Sequence, residues 1–324
     1  MKVVVRTIIA ITMFLSTQIL FAQVKLDFKS LADMTSERYG MGYTTDGKNV
    51  YAVCGNTSGL VYLSNSIERY DSENNKWTVL SEDFKPKRYC NAEYIKSENK
   101  IFVFNGEYFT SNFRELFDRM EIFDLNTNQI SFGPNNPYPV KHAGSAVWNN
   151  KIYFFGGRTM SMIGGKIMNT YSNRFYEYDP VKSEWKRLPD LLEAKETSGK
   201  IIDGILYIFG GYDGSQLRSI DAYNFENSTW TRIGTLQYDV SANATASDGQ
   251  NIWLVGSYQN MNFIAAYNTK SKSMTKYEST MTDRRHAGAQ NIGNLLYVFG
   301  GTQDEQSVSS LSTTEVVDIS FIKK

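Results

Sequence analysis

Residues 151–185 read KIYFFGGRTMSMIGGKIMNTYSNRFYEYDPVKSEW, and the two ends of this stretch decide the fold. At the first end, Ile152, Tyr153, Phe154 and Phe155 are apolar on both alternating faces, as a strand covered on both sides requires, and Gly156-Gly157 closes the run. At the second, Tyr178 and Trp185 stand seven residues apart with Asp179-Pro180 between them. Turn chemistry between two aromatics at that spacing predicts an antiparallel hairpin whose rings pack together. One such unit has too little core to fold alone.

Both ends recur along the chain. The apolar run ending in glycine appears as VYAVCG, IFVFNG, IYFFGG, LYIFGG, IWLVGS and LYVFGG, ending at Gly55, Gly106, Gly157, Gly211, Ser257 and Gly301, each 44 to 54 residues after the last. Pairs seven apart follow at Tyr70/Trp77, Phe123/Ile130, Tyr178/Trp185, Tyr223/Trp230 and Tyr267/Met274. An Asp or Asn follows the aromatic in five units (Asp71, Asp124, Asp179, Asn224, Asn268), and Val317-Asp318 keeps the place in the sixth. The pattern resembles the kelch repeat over essentially all of the chain past its N-terminal segment. That resemblance implies an all-β fold, a six-bladed β-propeller with four strands per blade.

The position seven past Val317 is Lys324, the last residue, so the sixth blade lacks an outer strand of its own. Phe28-Lys29-Ser30-Leu31 precedes Arg38 much as Trp77-Thr78-Val79-Leu80 precedes Arg88. Residues 24–32 are therefore expected to supply the fourth strand of the last blade and close the ring without an open edge. Ahead of them, Lys2 and Arg6 followed by a mostly apolar run over 8–21 and Ala22 read as a secretory signal, too short for a comfortable membrane span. The expected organisation is a signal peptide over 1–22, one propeller over 23–324, and a secreted or periplasmic location with no membrane span after cleavage.

Composition narrows the partners. Lys plus Arg and Asp plus Glu are 34 each, so no net field draws nucleic acid or an anionic membrane, and only a local patch is left for either. No phosphate loop, HExxH, nucleophile elbow or zinc cysteine array is present. His142 and His286 both sit in His-Ala-Gly at matching places in blades 3 and 6, which face each other across a six-fold ring. Histidines so placed do not match the copper site of galactose oxidase, another kelch propeller, and neither metal nor cofactor is expected. Cys54 and Cys90 fall at neighbouring blade elements and are either two buried thiols or a bridge, the thiols being the simpler reading.

Up-and-down strands put two sets of loops on one rim. Residues just after the glycines (Asn56, Glu107, Tyr108, Arg158, Tyr212, Asp213, Tyr258, Gln303) should meet the connections entering each blade (Arg38, Tyr39, Arg88, Tyr89, Lys141, His142, Glu196, Asn243, Arg285, His286) around one channel mouth. The insertions at 107–122 and 158–177 exceed what a turn needs and are expected to be functional loops. Arg88, Tyr89, Glu107, His142, Arg158, Tyr212, Asp213, Arg285 and His286 are the expected ligand contacts, with arginine forks for carboxylates or hydroxyls and aromatic faces for sugar rings or peptides. The expected function is an exported binding module for a glycan, a peptide or a protein. The alternative is a carbohydrate mutarotase or epimerase, as in exported kelch proteins acting on sialic acid, with Glu107, Glu196, Asp213 and the two histidines as acid-base candidates.

Overall fold

The structure, a computed structural model, describes residues 24–59, 62–111, 113–304 and 309–323. The expected signal peptide lies outside them. Six four-stranded antiparallel sheets form the blades. Their innermost strands are Gly42–Thr45, Asn91–Ile95, Gly144–Trp148, Glu196–Ile202, Ala244–Ser247 and Gly288–Ile292. Each packs beside the next, and the sixth packs beside the first, so the ring is closed.

The repeat signature is visible as packing. Tyr70, Phe123, Tyr178, Tyr223 and Tyr267 lie directly across the ladder from Trp77, Ile130, Trp185, Trp230 and Met274. The Tyr/Trp ring centroids are 4.8 to 5.3 Å apart in blades 1, 3 and 4. These rings fill the gaps between blades: Trp77 of blade 1 reaches blade 6, where its Nε1 donates to Thr314 Oγ1 at 2.9 Å. Ile130 and Met274 fill the same place with aliphatic volume, which is why blades 2 and 5 tolerate them.

Ring closure follows the expectation with one refinement. Lys29–Ser30 pairs with the third strand of blade 6, Thr314–Asp318, through Lys29 opposite Val316 and Ser30 opposite Glu315. Lys25–Leu26 does not continue that strand. It pairs in parallel with Glu278–Ser279, just after blade 5, because Leu26 is 1% exposed and is drawn into the core shared by blades 5 and 6. The cysteines are free and share one core cluster beneath blades 1 and 2.

A buried charge recurs where each connection enters a blade. Arg38, Lys87, Lys195 and Arg284 are buried and paired with acids on the third strand of their own blade: Glu68, Glu121, Asp221 and Glu315. Blades 3 and 5 hold Val140 and Val240 instead, and the acid's place is taken by Tyr176 and Ala265. Base and acid change together, as they must where a lone buried charge is costly.

The glycines ending the second strands bring that entering backbone close. Gly211 has φ of +115°, and a Cβ there would lie 2.1 Å from the Glu196 carbonyl oxygen. Gly211→Ala is expected to cost about 2–4 kcal/mol in denaturant unfolding, from left-handed strain and a clash with rigid backbone. An unchanged midpoint would show that this connection can move.

Candidate functional site

The two loop sets do meet on one rim. Backbone bridges join Tyr39 to Asn56, Arg88 to Glu107, Lys141 to Arg158, and Arg285 to Thr302. Glu196 pairs with Tyr212 in blade 4, and Tyr258 N donates to Ser241 O in blade 5. Every blade thus pins its entering connection to its post-glycine loop through backbone pairing.

Tyr89, His142 and His286 converge at the axis. They occupy matching places in blades 2, 3 and 6, each with left-handed backbone at φ of 55°, 55° and 51°. Ring centroids are 3.7 Å apart for Tyr89 and His142, 5.3 Å for Tyr89 and His286, and 5.5 Å for the two histidines. Blade 1 has Gly40 in this place, and a Cβ there would come within 2.7 Å of the Tyr89 ring. Gly40 N donates to His286 O at 2.8 Å, and His286 N to Ala242 O at 2.9 Å, tying blades 1, 6 and 5 together around the axis. Burial, then the charges of Arg285 and Arg88, hold the His286 pKa down at about 3; burial and His286 depress His142 well below its usual range. Both imidazoles are neutral at ordinary pH. This cluster lines a cavity of about 140 Å³. There Ser145 Oγ donates to the buried Glu93 carboxylate at 2.6 Å, and Thr245 N donates to the Tyr43 hydroxyl at 3.1 Å.

The expected contacts away from the axis fall into two groups, with Asp213 apart from both. Arg88, Glu107 and Arg285 are buried and engaged with the protein itself. Arg88 Nε donates to Glu107 Oε1 at 2.9 Å, while its Nη1 donates to Asn56 Oδ1 at 3.0 Å and to the Tyr39 hydroxyl at 3.2 Å. Lys141 holds the other Glu107 oxygen. Burial raises the Glu107 pKa, but Lys141 and Arg88 outweigh it and leave the group below its ordinary range. Arg285 stacks 4.0 Å over the Tyr258 ring and donates to Asp304 O at 2.8 Å. Asp213 is exposed in a tight turn, its carboxylate accepting from Ser215 N and Oγ.

Arg158 and Tyr212 form the second group, joined where blade 3 meets blade 4 by Glu196, an acid-base candidate rather than an expected contact. Arg158 Nε and Glu196 Oε1 form an ion pair at 2.9 Å that is misaligned for a hydrogen bond, and among the described residues neither atom has another hydrogen-bond partner. Burial pushes the Glu196 pKa up to about 7 in spite of Arg158 and Lys141. Tyr171 completes the group, 5.9 Å from Tyr212 edge to face and 5.8 Å beneath the Arg158 guanidinium. The sequence reading passed over Tyr171. The long insertions are themselves hairpins, Glu107–Phe109 with Arg114–Leu116 and Arg158–Ile163 with Lys166–Tyr171. Gly164-Gly165 is the turn signal that sets Tyr171 opposite Arg158.

A family description, the KLHDC2/KLHL20/DRC7 Kelch-repeats domain, matches residues 40–258. The chain belongs to the kelch-repeat family. Among kelch relatives it is similar to Kelch-like protein 25 of Xenopus tropicalis, 26% identical over 232 residues covering 68% of this chain and 37% of the relative. Kelch-like protein 23 of Homo sapiens is 27% identical over 209 residues, covering 63% and 34%. The chain thus spans about a third of the length of the curated kelch proteins it matches. The solved structure of YjhT superposes with a TM-score of 0.75 at 13% identity, over 90% of this chain and 97% of that one, and shares the fold.

Proposed function

We propose that this kelch propeller is an exported binding module whose ligand, a glycan, a peptide or a protein segment, docks at the channel mouth over Arg158 and Glu196. One contrast carries the reading. Arg88, Glu107 and Lys141 satisfy one another, whereas Arg158 Nε and Glu196 Oε1 are ion-paired without an aligned hydrogen bond to any described residue. Tyr171 and Tyr212 frame them with flat faces suited to a sugar ring or a peptide chain. His142, Tyr89 and His286 form the floor at the axis. Export rests on Lys2, Arg6 and the apolar run over 8–21, and cell fractionation tests it.

Calorimetric screening of glycans and peptides should find ligands whose affinity falls by about 1–3 kcal/mol with Arg158→Ala while the melting temperature holds. For a ligand bringing a carboxylate, protonated Glu196 is the favourable partner. Above pH 7 the Glu196 anion forms and competes for Arg158, so affinity should fall by up to about tenfold per pH unit, and Glu196→Gln should flatten the profile. Affinity that ignored both changes but tracked Lys76 or Lys182, on the opposite rim, would move the site to the other face.

Glu196 also supports a second reading, a mutarotase or epimerase. It titrates near neutrality, where ring opening needs a proton donor and acceptor, while Glu107 is held ionised and both histidines neutral. Anomer exchange followed by NMR, present in the wild type and lost in Glu196→Gln, would select this reading.

A further inference from the structure

The blade 3 hairpin is exposed from Ser161 through Thr170, and its tip is apolar. Met162, Ile163, Ile167 and Met168 are 49%, 63%, 38% and 49% exposed. Met162 stands opposite Ile167, while Ile163 stands opposite Lys166 and Met168 opposite Ser161. Alternation along the strands therefore puts Met162 and Ile167 on one face and Ile163 and Met168 on the other. A lid over the mouth needs one apolar face; a tip apolar on both is shaped to enter an apolar medium. Charge narrows the medium. The hairpin has no acid anywhere between Arg158 and Tyr171; Arg158 at its base is ion-paired with Glu196, and Lys166 at its tip is exposed. The blade 2 hairpin packs against its first strand and adds one more exposed apolar side chain, Phe113, 53% exposed; its basic residue, Arg114, is followed by the exposed acid Glu115.

We propose that the blade 3 hairpin tip, with Phe113 beside it, is a wedge that docks the propeller on an anionic lipid surface, the apolar side chains entering the headgroup boundary and Lys166 meeting lipid phosphates. The chain as a whole carries no net charge, so attraction is confined to this rim, and docking turns the channel mouth toward the bilayer. The inference stands independently of what the mouth binds.

The test uses the chain from Val24 onward, which contains every strand of the closed ring, in co-sedimentation with vesicles. Vesicles of phosphatidylcholine alone are compared with vesicles containing about 30% phosphatidylglycerol. Binding to the anionic vesicles is expected, falling as salt rises, reduced about tenfold or more by Ile163→Asp with Met168→Asp, and reduced less by Lys166→Glu. All three positions lie outside the core, so the variants should melt with the wild type. No vesicle binding, or binding that the tip variants leave intact, overturns the proposal. So does self-association in light scattering that Ile163→Asp abolishes without any vesicle binding, which would assign the tip to a second copy of the chain.

Discussion

A chain that starts after residue 33 is expected to melt about 10 °C or more below one that starts at Val24. The removed segment supplies the Lys29–Ser30 ladder to blade 6, the bond from Leu31 N to Thr314 O at 2.9 Å, and Leu26, wholly buried between blades 5 and 6. Burying one leucine contributes about 2 kcal/mol, and each lost hydrogen bond about 1 kcal/mol. The direct loss is on the order of 5 kcal/mol, and a chain of this size loses about 2 °C per kcal/mol. The truncation also leaves Thr314–Asp318 as an open edge, so aggregation should accompany unfolding. A calorimetric midpoint matching that of the longer chain would mean that the ring closes without this strand.

Lys87→Ala should cost about 3–5 kcal/mol, and the same residue should become nearly dispensable once its partner goes too. Lys87 is fully buried against Glu121, so removing the ammonium alone strands a carboxylate in the core. The double change Lys87→Val with Glu121→Ala copies what blade 5 already has in Val240 and Ala265. It should recover about 1–3 kcal/mol relative to Lys87→Ala; the bond from Lys85 N to Glu121 Oε1 stays lost in the double variant. Urea unfolding of Lys87→Val, Glu121→Ala and the double variant forms the cycle. Additive losses would show that the pair contributes through packing rather than through mutual neutralisation.

The same pair marks how far a linear reading reaches. Tyr70/Trp77 and its copies are legible because a strand pairs with its sequence neighbour, and seven residues across a tight turn place two rings opposite each other whatever the rest of the chain does. Closure by residues 24–32 was legible for a related reason: a missing strand at one end and a spare at the other leave one solution without an open edge. The parallel pairing of Lys25–Leu26 was not, because it depends on an apolar gap between blades 5 and 6 that exists only once both have formed.

At the rim, the sequence determined which residues gather, since topology alone sends the post-glycine loops and the entering connections to one mouth. It also put His142 and His286 on opposite blades. Only the tertiary structure decided what each charge does there. Glu107 follows a glycine and Glu196 lies in an entering connection, but nothing in the sequence around either predicts its ionisation. Glu107 is enclosed by Arg88 and Lys141 from adjacent blades and stays ionised, whereas Glu196 is buried beside a misaligned Arg158 and titrates near 7. The period is local and can be read along one chain. The state of a buried carboxylate is set by distances and angles to groups on neighbouring blades, some 34 residues away for Lys141 and Glu107, and those are fixed only when the ring closes.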